Sequence, residues 1–132
     1  MIQTAQLRAD EILSRLGANP VGAEIGVLRG SLSSRLLVRN DLHLTMGDSW
    51  GTYRDTYAAS GDLLADEDET YWHNAREQAD VLTRFAEGRR SIVQADSVVA
   101  SHAVDPGTLD FVFIDADHSY DGCMADLVHW YP

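Results

Sequence analysis

Lysine is absent from this chain. All ten of its basic residues are arginine, which removes Walker-type phosphate binding and lysine Schiff-base chemistry together. Cysteine occurs once, at Cys123, so neither an internal disulfide nor a multi-cysteine zinc site can be built. No apolar run approaches the roughly 20 residues needed to span a bilayer. The opening Met1-Ile2-Gln3-Thr4-Ala5-Gln6 lacks the basic and apolar regions of a signal peptide, so a cytoplasmic protein with no membrane partner is expected. Positive charge is scarce as well: ten basic residues against 21 acids leave a net charge of −11, without the basic face that nucleic-acid phosphates require. Also missing is the Gly-x-Gly-x-x-Gly that brings a pyrophosphate onto a helix N-terminus.

What remains is a soluble composition, 45% apolar over 132 residues, long enough for one domain with a real core and too short for two. The chain, 1–132, is therefore read as a single domain. Its organising stretch is Gly22-Ala23-Glu24-Ile25-Gly26-Val27-Leu28-Arg29-Gly30-Ser31-Leu32-Ser33-Ser34. A buried strand carrying an acid gives way to a glycine-relaxed turn and then a helix, the arrangement by which α/β domains offer backbone N–H groups to a ligand. Gly26 and Gly30 let the backbone bend tightly and approach a ligand closely, and Ser31, Ser33 or Ser34 is expected to cap the helix. The spacing Glu-x-Gly-x-x-x-Gly suits a ligand without phosphates. A glycine turn between strand and helix is also commonly structural, so the turn does not decide the matter by itself.

Periodicity orders the rest. Ala5, Ala9, Ile12, Leu13 and Leu16 predict a packing helix over 3–16, stopped by Gly17. A strand over 21–27 and a helix over 31–38 follow, the latter ended by Asn40 in the left-handed conformation. Leu42-His43-Leu44-Thr45-Met46 is the second strand and leads to Gly47-Asp48-Ser49-Trp50. Asp48 falls about twenty residues beyond the glycine turn, where open α/β folds place a ribose-binding acid. The connection over 51–88 is read as two helices: a first piece with Tyr53 and Tyr57, either a lid or a packed insert, and a second whose face carries Trp72, Ala75, Ala79, Leu82 and Ala86 beside Phe85. A third strand over 91–95, a short helix over 98–103, an unbroken apolar fourth strand over 109–115 and a helix over 121–130 complete the pattern. Strands alternating with helices predict an α/β fold with an open parallel sheet.

Glu24, Asp48, Asp96 and Asp115 each stand where a predicted strand gives way to its loop. In a parallel sheet all four gather on the edge where such folds bind ligands. A cleft lined with acceptors suits a cationic ligand rich in hydroxyl and amino groups. S-adenosylmethionine offers an ammonium, a sulfonium, a ribose diol and an adenine amine.

Three blocks make the likeness specific: Ala23-Glu24-Ile25-Gly26-Val27-Leu28-Arg29-Gly30-Ser31, Gly47-Asp48-Ser49-Trp50-Gly51, and Leu109-Asp110-Phe111-Val112-Phe113-Ile114-Asp115-Ala116-Asp117-His118-Ser119-Tyr120. In wording and order they resemble the class I S-adenosylmethionine-dependent methyltransferases, in particular the small-molecule and sugar O-methyltransferase-like methyltransferase 24 family. The resemblance implies a Rossmann-like sheet with flanking helices. It implies further that Glu24 and the turn from Gly26 to Gly30 hold the methionine part, that Asp48 accepts from both ribose hydroxyls, and that Trp50 lies close to the nucleoside. Asp96 would accept from the adenine amine while the Ser97 backbone fixes the ring, and Asp115 would face the methionine ammonium or the acceptor. For a hydroxyl acceptor, His118 or Asp117 is the candidate general base; structural placement of His118 in its loop is the competing assignment. No metal site is assigned, since the further oxygen ligands that magnesium needs lie beyond this chain in related enzymes.

The chain departs from the family in two places. Gly47 stands where an apolar residue is common, which leaves the end of the second strand open by about a residue. The sequence stops at Trp130-Tyr131-Pro132, whereas the family continues with a Pro-Gly-Gly turn and three more strands. The expectation is thus the N-terminal half of the fold, truncated from a longer product, with its fourth strand left as an exposed edge through which a second copy could pair. The competing function is a non-catalytic interaction module that needs a partner to complete the sheet.

Overall fold

The computed structural model describes residues 2–51 and 68–114. Asp115, Asp117, His118, Cys123, the helix expected over 121–130 and the piece carrying Tyr53 and Tyr57 lie outside the described residues. In chain order the elements are α1 (Ile2–Leu13), β1 (Val21–Ile25), α2 (Ser31–Leu36), β2 (His43–Asp48), α3 (Glu69–Thr83), a 3-10 helix (Arg84–Arg89), β3 (Arg90–Gln94), α4 (Ser97–Ser101) and β4 (Phe111–Ile114).

The four strands run parallel in the order β3-β2-β1-β4, the Rossmann-like α/β arrangement that the alternation of elements predicts. β1 lies inside the sheet with four of its five residues buried, as expected of a parallel strand covered on both faces. On one face Ala9 of α1, Leu32 and Leu36 of α2 and Trp72, Ala75 and Ala79 of α3 pack with Leu44 and Met46 of β2. On the other, Ala23 and Ile25 meet Ala95 and Ala100, with Val93, Val112 and Ile114 alongside. Gly47 belongs to β2 and carries the strand through to Asp48. A Cβ at Gly47 would stand 2.9 Å from Ile25 Cδ1, so the isoleucine fills the room that an apolar side chain would have taken.

Several element ends differ from expectation, each for a local reason. α1 stops at Leu13 rather than 16 and tapers through three-residue bonds, Arg15 N–H to Ile12 O at 3.1 Å and Leu16 N–H to Leu13 O at 3.3 Å. β1 ends at Ile25 rather than Val27, because Gly26 is already left-handed, with φ 94°. α2 closes at Leu36, and Asn40 is not left-handed. Arg89 supplies what Asn40 was expected to: its guanidinium donates to the carbonyls of Leu37 (2.9 Å), Arg39 (2.9 Å) and Leu42 (3.0 Å), meeting acceptors that the helix end leaves unpaired. Asp68 caps α3 by accepting from the Tyr71 N–H at 2.9 Å. The α-helix gives way to a 3-10 turn after Thr83, so the buried stripe runs Trp72, Ala75, Ala79, Thr83 and Ala86, while Leu82 and Phe85 are 38% and 60% exposed. At about 100° per residue, positions 82 and 83 lie on opposite flanks of that stripe, so periodicity does not choose between them. Thr83 satisfies its hydroxyl on the Ala79 carbonyl at 2.7 Å.

At the N-terminal edge of the sheet Arg39 Nε donates to Asp41 Oδ1 at 2.7 Å, and the Asn19 N–H donates to Oδ2 at 2.8 Å. The Arg39 bond and the Asn19 amide hold the Asp41 carboxyl down to about 2. A carboxylate whose folded value lies below its unfolded one adds stability that is complete above the ordinary range near 4 and is lost as pH falls through the folded value. The urea midpoints of the parent and Asp41→Asn are therefore expected to differ most above pH 5 and to converge toward pH 2. A gap that does not change with pH would count against the pairing.

Candidate functional site

Beyond β1 the ladder continues for one more bond, Gly26 N–H to Gly47 O at 2.8 Å. The chain then alternates: Gly26, Leu28 and Gly30 have φ of 94°, 56° and 84°. Gly30 is the residue before α2, and no side chain caps that helix. None of the serines expected to do so stands at the capping position, because Ser31 is already helical and the left-handed Gly30 occupies the position at which a cap needs extended backbone. Ser34 Oγ donates back to the Ser31 carbonyl at 3.0 Å. Ser33 Oγ donates to Glu24 Oε1.

That last bond is a feature sequence reasoning missed. Ser33 is fully buried and Glu24 is 3% exposed; a buried carboxylate is costly unless hydrogen-bonded. The signal was present: Ser33 sits among Leu32, Leu36 and Leu37 on the buried side of α2, and a polar residue in an apolar stripe needs a partner.

Gly30 meets its close neighbour in α3. A Cβ there would stand 2.9 Å from Ala79 Cα, so the missing side chain admits helix backbone. Arg29 adds a second tie, its guanidinium 5.0 Å from the Tyr71 ring centroid and its Nη1 donating to Gln78 Oε1 at 3.0 Å.

Asp48, the last residue of β2, faces the turn. Its Oδ2 accepts from the Leu28 N–H at 2.7 Å and its Oδ1 from the Trp50 N–H at 2.9 Å. Burial pushes the Asp48 carboxyl up, and the amides of Trp50, Leu28, Ser49 and Val27 pull against that without cancelling it. Trp50, expected close to the nucleoside, is 4% exposed, and its indole N–H donates to the Leu28 carbonyl at 2.8 Å. The Arg76 guanidinium stands 5.9 Å from the centroid of its ring.

Asp96 lies two residues past β3 and accepts from the Val99 N–H at 3.0 Å, capping α4, of which Ser97 is the first residue. The register makes a stair of the three described acids. Glu24 pairs with Met46, two residues before Asp48, and Asp48 pairs with Gln94, two before Asp96. The sheet thus carries Glu24, Asp48 and Asp96 to the C-terminal ends of adjacent strands; Asp115 and His118 lie outside the described residues. Among the described residues no group of three His, Cys, Asp or Glu side chains is placed to hold a metal ion, and no helix is long and apolar enough to cross a membrane.

Comparison with known proteins gives one family: a model described as a methyltransferase domain matches residues 23–132. No curated protein and no solved structure matches the chain.

Proposed function

Because the chain belongs to the methyltransferase 24 family, we propose that the glycine turn and the acids at the ends of β1, β2 and β3 bind S-adenosylmethionine, and that its methyl group passes to a hydroxyl of a small molecule or sugar. Asp48 is the observation that carries the proposal. Its Oδ2 is tied to the turn by the Leu28 N–H, and its Oδ1 to Trp50, two residues past the strand, by that residue's N–H. An ionised carboxylate only accepts hydrogen bonds, which is the partner that the two donors of a ribose diol require. The upward push of burial supports the same reading, since hydrogen bonds donated by a ligand would stabilise the charged form.

Glu24, with Ser33 on one oxygen, is assigned to the methionine ammonium, directly or through water. Asp96 is assigned to the adenine amine, with the Ser97 backbone against the ring. Asp115 is assigned to the ammonium or the acceptor. When bound, the donor supplies a methyl group on a sulfonium whose departure leaves a neutral thioether. The protein's part is to hold donor and acceptor in line and to take the proton of the acceptor hydroxyl, a step assigned to His118 or Asp117.

Calorimetric titration tests the donor. Heat of binding is expected with S-adenosylmethionine and none with NAD or ATP. A folded sample that gives no heat with S-adenosylmethionine would overturn the reading.

A further inference from the structure

We propose that Trp50 is a positioning residue that acts through Leu28, holding the glycine turn in the shape its ligand requires. The inference rests on the reading of that turn as the S-adenosylmethionine site. Leu28 has φ 56°, a conformation in which Cβ crowds the following carbonyl and which glycine, or the short polar Asn and Asp, adopts far more readily than leucine. Such a residue persists only where its surroundings over-determine it. Here they do so at both of its peptide groups. The Leu28 N–H is held by Asp48 Oδ2 at 2.7 Å, and the Leu28 carbonyl is held by the Trp50 indole N–H at 2.8 Å. The first bond orients the peptide plane before the Cα and the second the plane after it. Together they fix φ and ψ.

Trp50 is anchored in turn. Its own N–H is bonded to Asp48 Oδ1 at 2.9 Å, which closes a ring of three hydrogen bonds among Asp48, Trp50 and Leu28. Trp50 is itself left-handed, with φ 43°, and Gly51 follows with φ 83°. A Cβ at Gly51 would stand 2.5 Å from Trp72 Cδ1, so α3 presses directly on the backbone beside Trp50. The carboxylate assigned to the ribose is thus the same group that holds the turn, and the indole fixes the turn's remaining degree of freedom.

Trp50→Phe keeps a six-membered aromatic ring and removes the indole N–H together with the five-membered ring that carries it. The expected result is about a tenfold rise in the Kd for S-adenosylmethionine, the loss of one buried hydrogen bond. Adding Leu28→Gly to that variant should bring the Kd back to within about threefold of the parent, because glycine takes the left-handed conformation unaided. A tryptophan that only filled the core would not be rescued at position 28, so an unrecovered Kd in the double variant overturns the proposal, as does an unchanged Kd in Trp50→Phe. If the parent chain itself binds no S-adenosylmethionine, the cofactor reading fails separately. Hydrogen exchange at the Leu28 amide in unliganded protein then still reads the clamp: faster exchange in Trp50→Phe supports it and unchanged exchange overturns it.

Discussion

Gly30→Val is expected to lower the stability of the chain by about 2–5 kcal/mol, the sum of a left-handed penalty of about 1–2 kcal/mol and an overpacking penalty of about 1–3 kcal/mol. Two independent features of the structure act at this one position. The backbone has φ 84°, which a β-branched residue resists, and the added Cβ would come within 2.9 Å of Ala79 Cα. The obstacle is helix backbone, so it cannot swing aside as a flexible side chain would. Against the ~5–15 kcal/mol that separates most folded domains from their unfolded chains, such a loss leaves little margin. Gly88 supplies the control, because a Cβ there meets nothing within 4 Å. A fall in the urea midpoint for Gly30→Val with little change for Gly88→Ala is the expected pair of results. Equal effects at the two positions would mean that α3 does not rest on the turn.

Gly30 also marks the boundary of what the sequence makes legible. That a glycine was required could be read from the strand-turn-helix pattern; what required it could not, because Ala79 lies far along the chain and belongs to a different helix. The sheet was legible because parallel strands covered on both faces leave an apolar signature, as in β1, and because alternating elements restrict the topology. Asp48 at the end of β2 followed from the strand-like run that leads into it. The local roles were less accessible wherever a distant partner decides them. Ser33 looked like one of three candidate caps until its hydroxyl is seen on Glu24. Leu82 satisfied the apolar period, yet Thr83 takes the buried position because the hydroxyl can be returned to the helix carbonyl. The resemblance placed Trp50 near a nucleoside, and it carried no sign that the fold brings the indole N–H onto the Leu28 carbonyl. In each case tertiary contact chose the partner.

Asp48→Asn should weaken S-adenosylmethionine binding by roughly 10–100-fold, the loss of one charge-assisted hydrogen bond of about 1.5–3 kcal/mol. The carboxylate now presents an acceptor to each of two backbone donors, Leu28 N–H and Trp50 N–H. An asparagine has one carbonyl oxygen and one amino group, so in either orientation a donor faces a donor on one side. The ribose hydroxyl assigned to that side loses its acceptor as well. The effect on the unliganded protein is smaller, for a reason contained in the direction of the Asp48 shift. A carboxyl whose folded pKa lies above its unfolded value binds its proton more tightly when folded, so stability falls as pH rises from the ordinary range near 4 through the folded value. At neutral pH the folded parent therefore carries the cost of a half-buried charge, which the neutral asparagine avoids and which offsets part of its lost hydrogen bond. Binding and stability should consequently separate: a large rise in Kd by calorimetry beside a modest shift in the urea midpoint. A variant that binds as tightly as the parent would remove Asp48 from the ribose, and one that loses stability and affinity in proportion would reduce it to a brace for the turn.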